Sequence, residues 1–331
     1  MAKTRIAING LGRIGRNLLK LLLTKEEIEL IAVNDLAPAS TMAHLIKYDS
    51  IHGRFTGTIE STDRSLNLNG NEISYFSERD PESLPWAKLN IDIVVECTGL
   101  FRDEASMSKH LEAGAKKVVL SAPAKGDIKS VVLGINDDLL SEDDVLVSNA
   151  SCTTNCAAPM VKVLDELVGI EDAYITTIHS YTSDQRLHDA PHSDLRRARA
   201  AAMSIVPTTT GAAKAITKIF PHLDGKMGGC GIRVPVPDGS LTDISCIVQR
   251  DTNIEEVNKA FKDAAFGPLK GYLEYTEDPV VSIDIVGNPH SCIFDAQLTS
   301  VLGRMVKIVG WYDNEMGYSN RLVELVLRLA V

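Results

Sequence analysis

The chain has 331 residues, 44% apolar and 24% charged, a globular balance with room for two domains that excludes wholesale disorder, collagen-like repeats and coiled coils. Its 34 basic and 44 acidic residues give a net charge of −10 with no long basic run. Nonspecific binding to nucleic acid or anionic lipid is therefore not expected, and a small anion needs a local positive site.

Thr4 to Asn9 alternates apolar residues into a glycine-rich turn, Ile14 to Leu23 has helical spacing, and Ile28 to Asn34 is a second strand-like run. This is a βαβ opening. The early aliphatic run from Leu18 to Leu23 is broken by Lys20 and falls well short of the ~20 apolar residues of a membrane span. Met1 to Arg5 carries no signal-like segment, so the expected location is the cytoplasm, with no membrane partner. Strands are expected at Ile91 to Glu96, Lys117 to Ser121, Val131 to Gly134 and Val145 to Ser148, with a helix from Glu104 to Ala113 stopped by Gly114. Alternating strands and helices predict a mainly parallel, doubly wound sheet over residues 1–151.

After Cys152 the texture changes. A helix from about Thr153 to Leu167 precedes longer strand-like stretches: Tyr174 to His179, Cys230 to Val236, Leu241 to Arg250, Gly271 to Tyr275 and Met305 to Trp311. A single amphipathic helix, Ile254 to Ala265, follows Thr252 and has Glu255 and Glu256 in its first turn, where carboxylates suit the helix dipole. The pattern predicts a second domain, 152–315, with a mixed or antiparallel sheet and helices on one face. The last helical run, 316–331, is expected to return and complete the first domain. The fold class is thus α/β followed by α+β.

Gly10-Leu11-Gly12-Arg13-Ile14-Gly15 lies between strand and helix, and Asp35 ends the next strand 20 residues after Gly15. The first glycine permits the tight turn, the second lets the backbone approach a pyrophosphate, and the third allows close helix-to-strand packing. A carboxylate at Asp35 accepts from a ribose diol and repels a 2′-phosphate, favouring NAD over NADP. The alternative is a glycine-rich turn with no ligand.

Ser151-Cys152-Thr153-Thr154-Asn155-Cys156 stands just before the second-domain helix. Unpaired N–H groups and the positive dipole end there are expected to lower the Cys152 pKa and supply thiolate near neutral pH. The competing reading is a capped helix with Cys152 as a small core residue; for Cys156, a turn further in, packing is the stronger reading. Among eight histidines, His179 is the best partner, because it closes an apolar strand at the start of a polar loop. Thr208-Thr209-Thr210-Gly211 precedes a helical run and, with Arg196, Arg197, Arg199 and Arg233, offers anion-binding groups, although capped turns and solvated loops also explain them. The six cysteines have no disulfide-framework spacing, and no His or Cys pair has zinc-site spacing, so no metal is expected. A nucleotide-bound hydride acceptor and an activated thiol suggest an aldehyde dehydrogenating through a hemithioacetal and a thioester.

The sequence resembles the phosphorylating glyceraldehyde-3-phosphate dehydrogenases over essentially its whole length. The likeness is carried by Ile8 through Arg16, Lys47-Tyr48-Asp49-Ser50, Ser151 to Cys156, His179-Ser180-Tyr181-Thr182, Asp194 to Ala202, Thr208 to Ala215, Arg233-Val234-Pro235 and Trp311 to Glu315. The resemblance implies oxidation of D-glyceraldehyde 3-phosphate with NAD and inorganic phosphate, with Cys152 as nucleophile and His179 as its partner. It implies Thr182 and Arg233 at the substrate phosphate, and Ser151, Thr153, Thr210, Gly211 and Arg197 at the other phosphate or the substrate hydroxyls. For the cofactor it implies Gly10, Gly12, Arg13, Ile14, Gly15, Asp35, Arg79 and Ser121, with Asn314 on the carboxamide and Tyr318 against the nicotinamide. It also implies a homotetramer with the loop near 181–203 at subunit contacts. Ala190 departs from the commoner leucine and leaves some NADP use open. Asn288-Pro289-His290-Ser291 resembles the erythrose-4-phosphate dehydrogenases, which makes that activity the runner-up; a non-catalytic NAD-binding interaction protein is the alternative of another class.

Overall fold

A computed structural model describes residues 3–330. The chain forms two compact units: one takes in the residues up to Val131, Asp138–Ala150 and the segment from Ser319 on, the other Val132–Asp137 and Ser151–Tyr318.

In the first unit β1 (Thr4–Asn9), α1 (Arg13–Leu22) and β2 (Ile28–Asn34) form the expected βαβ opening, followed by α2 (Ala39–Lys47) and a small hairpin, β3 (Tyr48–Asp49) with β4 (Gly53–Arg54). Then come β5 (Ile59–Ser61), β6 (Ser65–Leu68), β7 (Asn71–Phe76), β8 (Ile93–Glu96), α3 (Glu104–Glu112), β9 (Lys117–Leu120), β10 (Lys129–Ser130) and β11 (Leu146–Ser148). Nine strands make one sheet in the order β10-β11-β9-β8-β1-β2-β7-β6-β5. From β10 to β7 every neighbour is parallel, and at the other edge β7 with β6 and β6 with β5 pair antiparallel. The strands are covered on both faces, so Ile6, Ala7, Ile8, Val94, Val95, Val118 and Val119 are all buried. Full burial of each such Val or Ile side chain contributes roughly 1.5–3 kcal/mol. Chain order reverses about β1, whose neighbours are β2 and β8. A doubly wound sheet opens a ligand crevice at the carboxyl ends of such strands.

The strand expected at Val131–Gly134 is not there; the paired residues are Lys129–Ser130. Val131 N–H still donates to the Ser148 carbonyl at 2.8 Å, but Val132 N–H donates to the Asn136 side chain at 2.8 Å and Gly134 takes φ +79°, which turns the chain away. An Asn and a Gly with these roles outweigh three apolar residues in a row.

The second unit contains α4 (Cys152–Val168), β12 (Ile170–Ser180), β13 (Val206–Thr208), α5 (Ala212–Ile219), β14 (Met227–Val234), β15 (Ser240–Val248), α6 (Ile254–Phe266), β16 (Leu273–Thr276), β17 (Cys292–Asp295), β18 (Ser300–Leu302) and β19 (Met305–Tyr312); α7 (Met316–Leu329) follows. Its mixed sheet runs β13-β14-β12-β15-β19-β17-β16, with β18 on β19. β12 pairs parallel with β14 and antiparallel with β15. α4 packs on α5 and α6 and over β15, β17 and β19. The cap of α6 is Asn253, whose side chain accepts from Glu256 N–H at 2.8 Å, one residue beyond Thr252; the Thr252 hydroxyl donates to the Glu256 carboxylate instead.

Candidate active site

Asn9, Gly10, Gly12, Asn34, Asp35, Glu78, Arg79, Cys97 and Thr98 line a cavity of about 360 Å³ in the first unit, at the carboxyl ends of β1, β2 and β8. Gly10 has φ +96° and its N–H donates to the Asn34 carbonyl at 2.8 Å, which sets the tight turn. A Cβ on Gly15 would lie 2.0 Å from the Gly10 carbonyl oxygen, so α1 can close on the turn only with a glycine there. A Cβ on Gly12 would meet nothing within 4 Å; it stands at the N-terminus of α1 and would point into open space. The Asp35 carboxylate accepts from Leu11 N–H at 2.8 Å and Ala37 N–H at 3.0 Å, one bond per oxygen, which leaves lone pairs for a diol. The cradle over Gly12, the helix end and the positioned carboxylate fit a dinucleotide.

Gly10, Gly12, Asp35 and Arg79 line the cavity, whereas Arg13, Ile14, Gly15 and Ser121 of the same unit, and Asn314 and Tyr318 of the second unit, do not. Gly15 packs behind the turn, Ile14 is half-buried in α1, and Arg13 pairs with Asp49 at 2.9 Å. Ser121, just past β9, hydrogen-bonds Cys97.

In the second unit Ser151 caps α4, its hydroxyl accepting from Thr154 N–H at 3.1 Å, so the helix starts at Cys152 itself. Along β12 the side chains at Ala173, Ile175, Thr177 and His179 alternate onto one buried face. That parity brings His179 Nε2 to 3.4 Å from Cys152 Sγ. Register places Arg233 directly beside His179 across β12 and β14. The Arg233 Nη1 lies 2.7 Å from His179 Nδ1 and donates to the Ser180 carbonyl at 3.0 Å. Cys156 is fully buried, with Sγ 3.7 Å from the Gly310 carbonyl, and belongs to the packing.

The thiolate expected at Cys152 is opposed by burial and favoured by its neighbours. Burial pushes the thiol up to about 11, against the pull of the Arg233 charge and of the Thr153 N–H and hydroxyl. Burial, then the Arg233 charge, pushes the His179 imidazole down to about 3. Desolvation thus works against both charged forms, and His179 Nε2 is the base within reach of the sulfur. The helix end helps the anion but does not outweigh desolvation.

The anion candidates separate. Arg197 donates to Thr208 Oγ1 at 2.9 Å, contacts the Thr209 carbonyl at 3.4 Å and pairs with Asp184. Thr210 Oγ1 accepts from Ala212 N–H at 3.2 Å, and Gly211 precedes α5 with open space where a Cβ would stand. Thr182 is half-buried just beyond β12, its carbonyl accepting from Gln185 N–H at 2.9 Å. Arg199 pairs with Asp189 at 3.0 Å on the surface.

Three residues that sequence reasoning passed over shape this unit. Tyr312, paired with Ser240 across β15 and β19, shares hydrogen bonds with Thr153 (2.9 Å) and Thr177 (3.0 Å) and presents its ring to His179 edge-on. The hydroxyls of Ser180 and Ser240 donate to Asn314 Oδ1 at 2.8 and 2.6 Å, which orients that amide with its NH2 as the free donor end. Tyr318 is buried in the same unit. The Trp311 to Glu315 segment hinted at Tyr312 and the His179 to Thr182 segment at Ser180; Ser240 left no local signal.

Comparison with known families bears on the same residues. The model of the glyceraldehyde 3-phosphate dehydrogenase C-terminal domain matches residues 151–314, and that of the same family's NAD binding domain matches residues 4–104. The chain belongs to the glyceraldehyde 3-phosphate dehydrogenase family. A curated relative from Streptomyces avermitilis, glyceraldehyde-3-phosphate dehydrogenase 2, is 56% identical over 98% of this chain and 97% of its own length. The Geobacillus stearothermophilus glyceraldehyde-3-phosphate dehydrogenase is 52% identical over 98% of each chain, and that of Mycobacterium avium is 52% identical over 97% of each. Among the described residues no helix is long and apolar enough to cross a membrane.

Proposed function

We propose that this chain oxidises D-glyceraldehyde 3-phosphate with NAD and inorganic phosphate to 1,3-bisphosphoglycerate, a step of glycolysis and gluconeogenesis. The observation that carries the reading is Cys152 Sγ, at the open end of α4, 3.4 Å from His179 Nε2. Gly10, Gly12, Asp35 and Arg79, with Gly15, Arg13, Ile14 and Ser121 supporting the turn and strand ends, would hold NAD; Asn314 and Tyr318 would face its nicotinamide. Bound NAD supplies the hydride acceptor.

His179 Nε2 takes the Cys152 proton as sulfur adds to the aldehyde carbon and the carbonyl electron pair moves to oxygen. The same nitrogen returns that proton to give the hemithioacetal, then removes it again as the thioester forms. The Cys152 N–H at the start of α4 is the donor available to the oxyanion. Inorganic phosphate then attacks the thioester and Cys152 leaves. Arg233 and Thr182 are assigned to the substrate phosphate, and Arg197, Thr210 and Gly211, with Ser151 and Thr153, to the incoming phosphate and substrate hydroxyls. Residues 1–151 with the C-terminal helix are read as the NAD-binding domain and 152–315 as the catalytic domain. Exposed Leu187, Leu195, Met203 and Ile205 support a subunit contact; a homotetramer is the proposed assembly and the cytoplasm the proposed location.

The test is NADH formation with and without inorganic phosphate. Sustained turnover that ignores phosphate rejects the phosphorylating route, and faster turnover of erythrose 4-phosphate promotes the sister activity.

A further inference from the structure

A buried set of hydrogen bonds lies behind the dinucleotide cavity of the first unit. Its centre is Glu96, at the end of β8, and behind Glu96 stand His110 of α3 and then Trp86; all three are cut off from solvent. The Glu96 carboxylate accepts from four donors, two at each oxygen: Thr98 N–H at 2.6 Å and the Thr98 hydroxyl, Asn9 Nδ2 at 2.6 Å and His110 Nε2 at 3.2 Å. Trp86 Nε1 lies 3.1 Å from His110 Nδ1.

Trp86 sets the direction of these bonds. An indole N–H only donates, so His110 Nδ1 is bare and the ring proton stands on Nε2, aimed at Glu96. Asn9 Nδ2 is 3.5 Å from that Nε2, and with a proton there the two are both donors to one carboxylate oxygen, not partners of each other. The Asn9 amide is thereby fixed, its NH2 towards Glu96 and its oxygen accepting from Asn34 Nδ2 at 2.7 Å. Asn34 in turn holds the backbone of Glu78, accepting from its N–H at 2.8 Å and donating to its carbonyl at 2.9 Å. Asn9, Asn34, Glu78 and Thr98 all line the cavity, as does Phe101, which meets the His110 ring edge-on.

We propose, resting on the dinucleotide reading of the cavity given above, that Glu96 and His110 are positioning residues for the adenosine half of NAD. Neither lines the cavity; they act through Asn9, Thr98 and, by way of Asn34, the Glu78–Arg79 segment. A buried polar set with one admissible arrangement holds these walls in place before the cofactor enters, so little ordering is left for binding to oppose. The adenosine half is concerned because the same walls carry Asp35, the partner of the ribose diol, whereas the nicotinamide is assigned to other residues. Disturbing the set therefore weakens cofactor binding and leaves the chemical step alone.

Isothermal calorimetry of the full chain with ADP-ribose, beside steady-state kinetics in NAD, is the test. Glu96→Gln keeps size and shape, but whichever way the amide turns its NH2 faces a donor: Thr98 N–H on one side, Asn9 and His110 on the other. The ADP-ribose Kd should rise about tenfold and the KM for NAD with it, while kcat at saturating NAD stays within about twofold. His110→Phe keeps a ring without the Nε2 donor and should raise that Kd about threefold. Val118→Ala is the control: it loosens the packing of β9 on Met107 of α3 without touching the set, and should leave the Kd within about twofold of the parent. Parental affinity in Glu96→Gln overturns the proposal, as does an equal loss in Val118→Ala; if Glu96→Gln does not fold, parental affinity in His110→Phe overturns it instead. A parent chain that binds no ADP-ribose removes the dinucleotide reading and the proposal with it, whereas a parent that binds while the variants bind equally well removes the proposal alone.

Discussion

Gly12 and Gly15 answer to different constraints, and replacing each by alanine separates folding from cofactor binding. At Gly15 the new methyl would stand 2.0 Å from the Gly10 carbonyl oxygen, a full 1.0 Å inside the 3.0 Å that side chains essentially never breach. Neither side can yield by a rotamer change: one partner is helix backbone, the other a turn held at φ +96° by a 2.8 Å hydrogen bond to β2. Overpacking of this kind costs about 1–3 kcal/mol, which for a unit of this size lowers the melting temperature by roughly 2–10 °C. At Gly12 the backbone is at φ −64°, ψ −163°, which alanine adopts freely, and the methyl meets no protein atom within 4 Å. Gly12→Ala should therefore cost under about 1 kcal/mol of stability, the ordinary loss of a helix-capping glycine. It should nonetheless weaken NAD binding by about 100-fold, or about 2.7 kcal/mol, because the methyl occupies the approach of the pyrophosphate. Isothermal calorimetry with NAD and thermal unfolding of both variants are the assays. A Gly12→Ala protein that binds NAD within threefold of the parent would refute the placement of the pyrophosphate over α1.

Further consequences are equally specific. Asp35→Asn removes the carboxylate in the cavity, and the ratio of kcat/KM for NAD to that for NADP should fall about tenfold, or ~1.4 kcal/mol; an unchanged ratio would detach Asp35 from the ribose. Tyr312→Phe deletes a hydroxyl bonded to Thr153 and Thr177, which should cost about 1–2 kcal/mol in denaturant unfolding and slow kcat while leaving NAD affinity alone. Equal losses in both parameters would contradict its place in the Cys152 unit. The His179 imidazole lies at about 3 in the folded chain against 6.5 for a free histidine. Below 6.5 the unfolded chain takes up a proton that the folded one refuses, so stability present above 6.5 is lost as pH falls towards 3, by at most about 5 kcal/mol. His179→Asn should flatten the dependence of the urea midpoint on pH between 6.5 and 4, and a parallel curve would show that the ring titrates normally.

Much of this was legible because the signals are local. The glycine turn, Asp35 at the end of β2, and a cysteine at a helix start each follow from a few consecutive residues and their spacing. His179 could be picked out because it closes an apolar strand at the start of a polar loop. What stayed hidden depends on register and burial. Arg233 lies 54 residues from His179 and meets it only because β14 pairs with β12 in one particular alignment. Ser240 and Tyr312 reach the site through another non-local pairing, and the far wall of the dinucleotide cavity is built from Glu78 and Thr98, which no spacing rule joins to Gly10. The electrostatics of Cys152 were legible only in part for the same reason: sequence shows the helix end that favours an anion, but the desolvation that opposes it exists only once the chain is packed.

The account turns on a covalent bond between substrate and Cys152. Mixing the protein with NAD and D-glyceraldehyde 3-phosphate in the absence of inorganic phosphate, quenching in acid and mapping peptides by mass spectrometry looks for that bond. The account predicts a 3-phosphoglyceroyl adduct on the peptide holding Cys152, formed in step with one equivalent of NADH and released when phosphate is added. An adduct on another cysteine, or an NADH burst of normal size from Cys152→Ala, would contradict it.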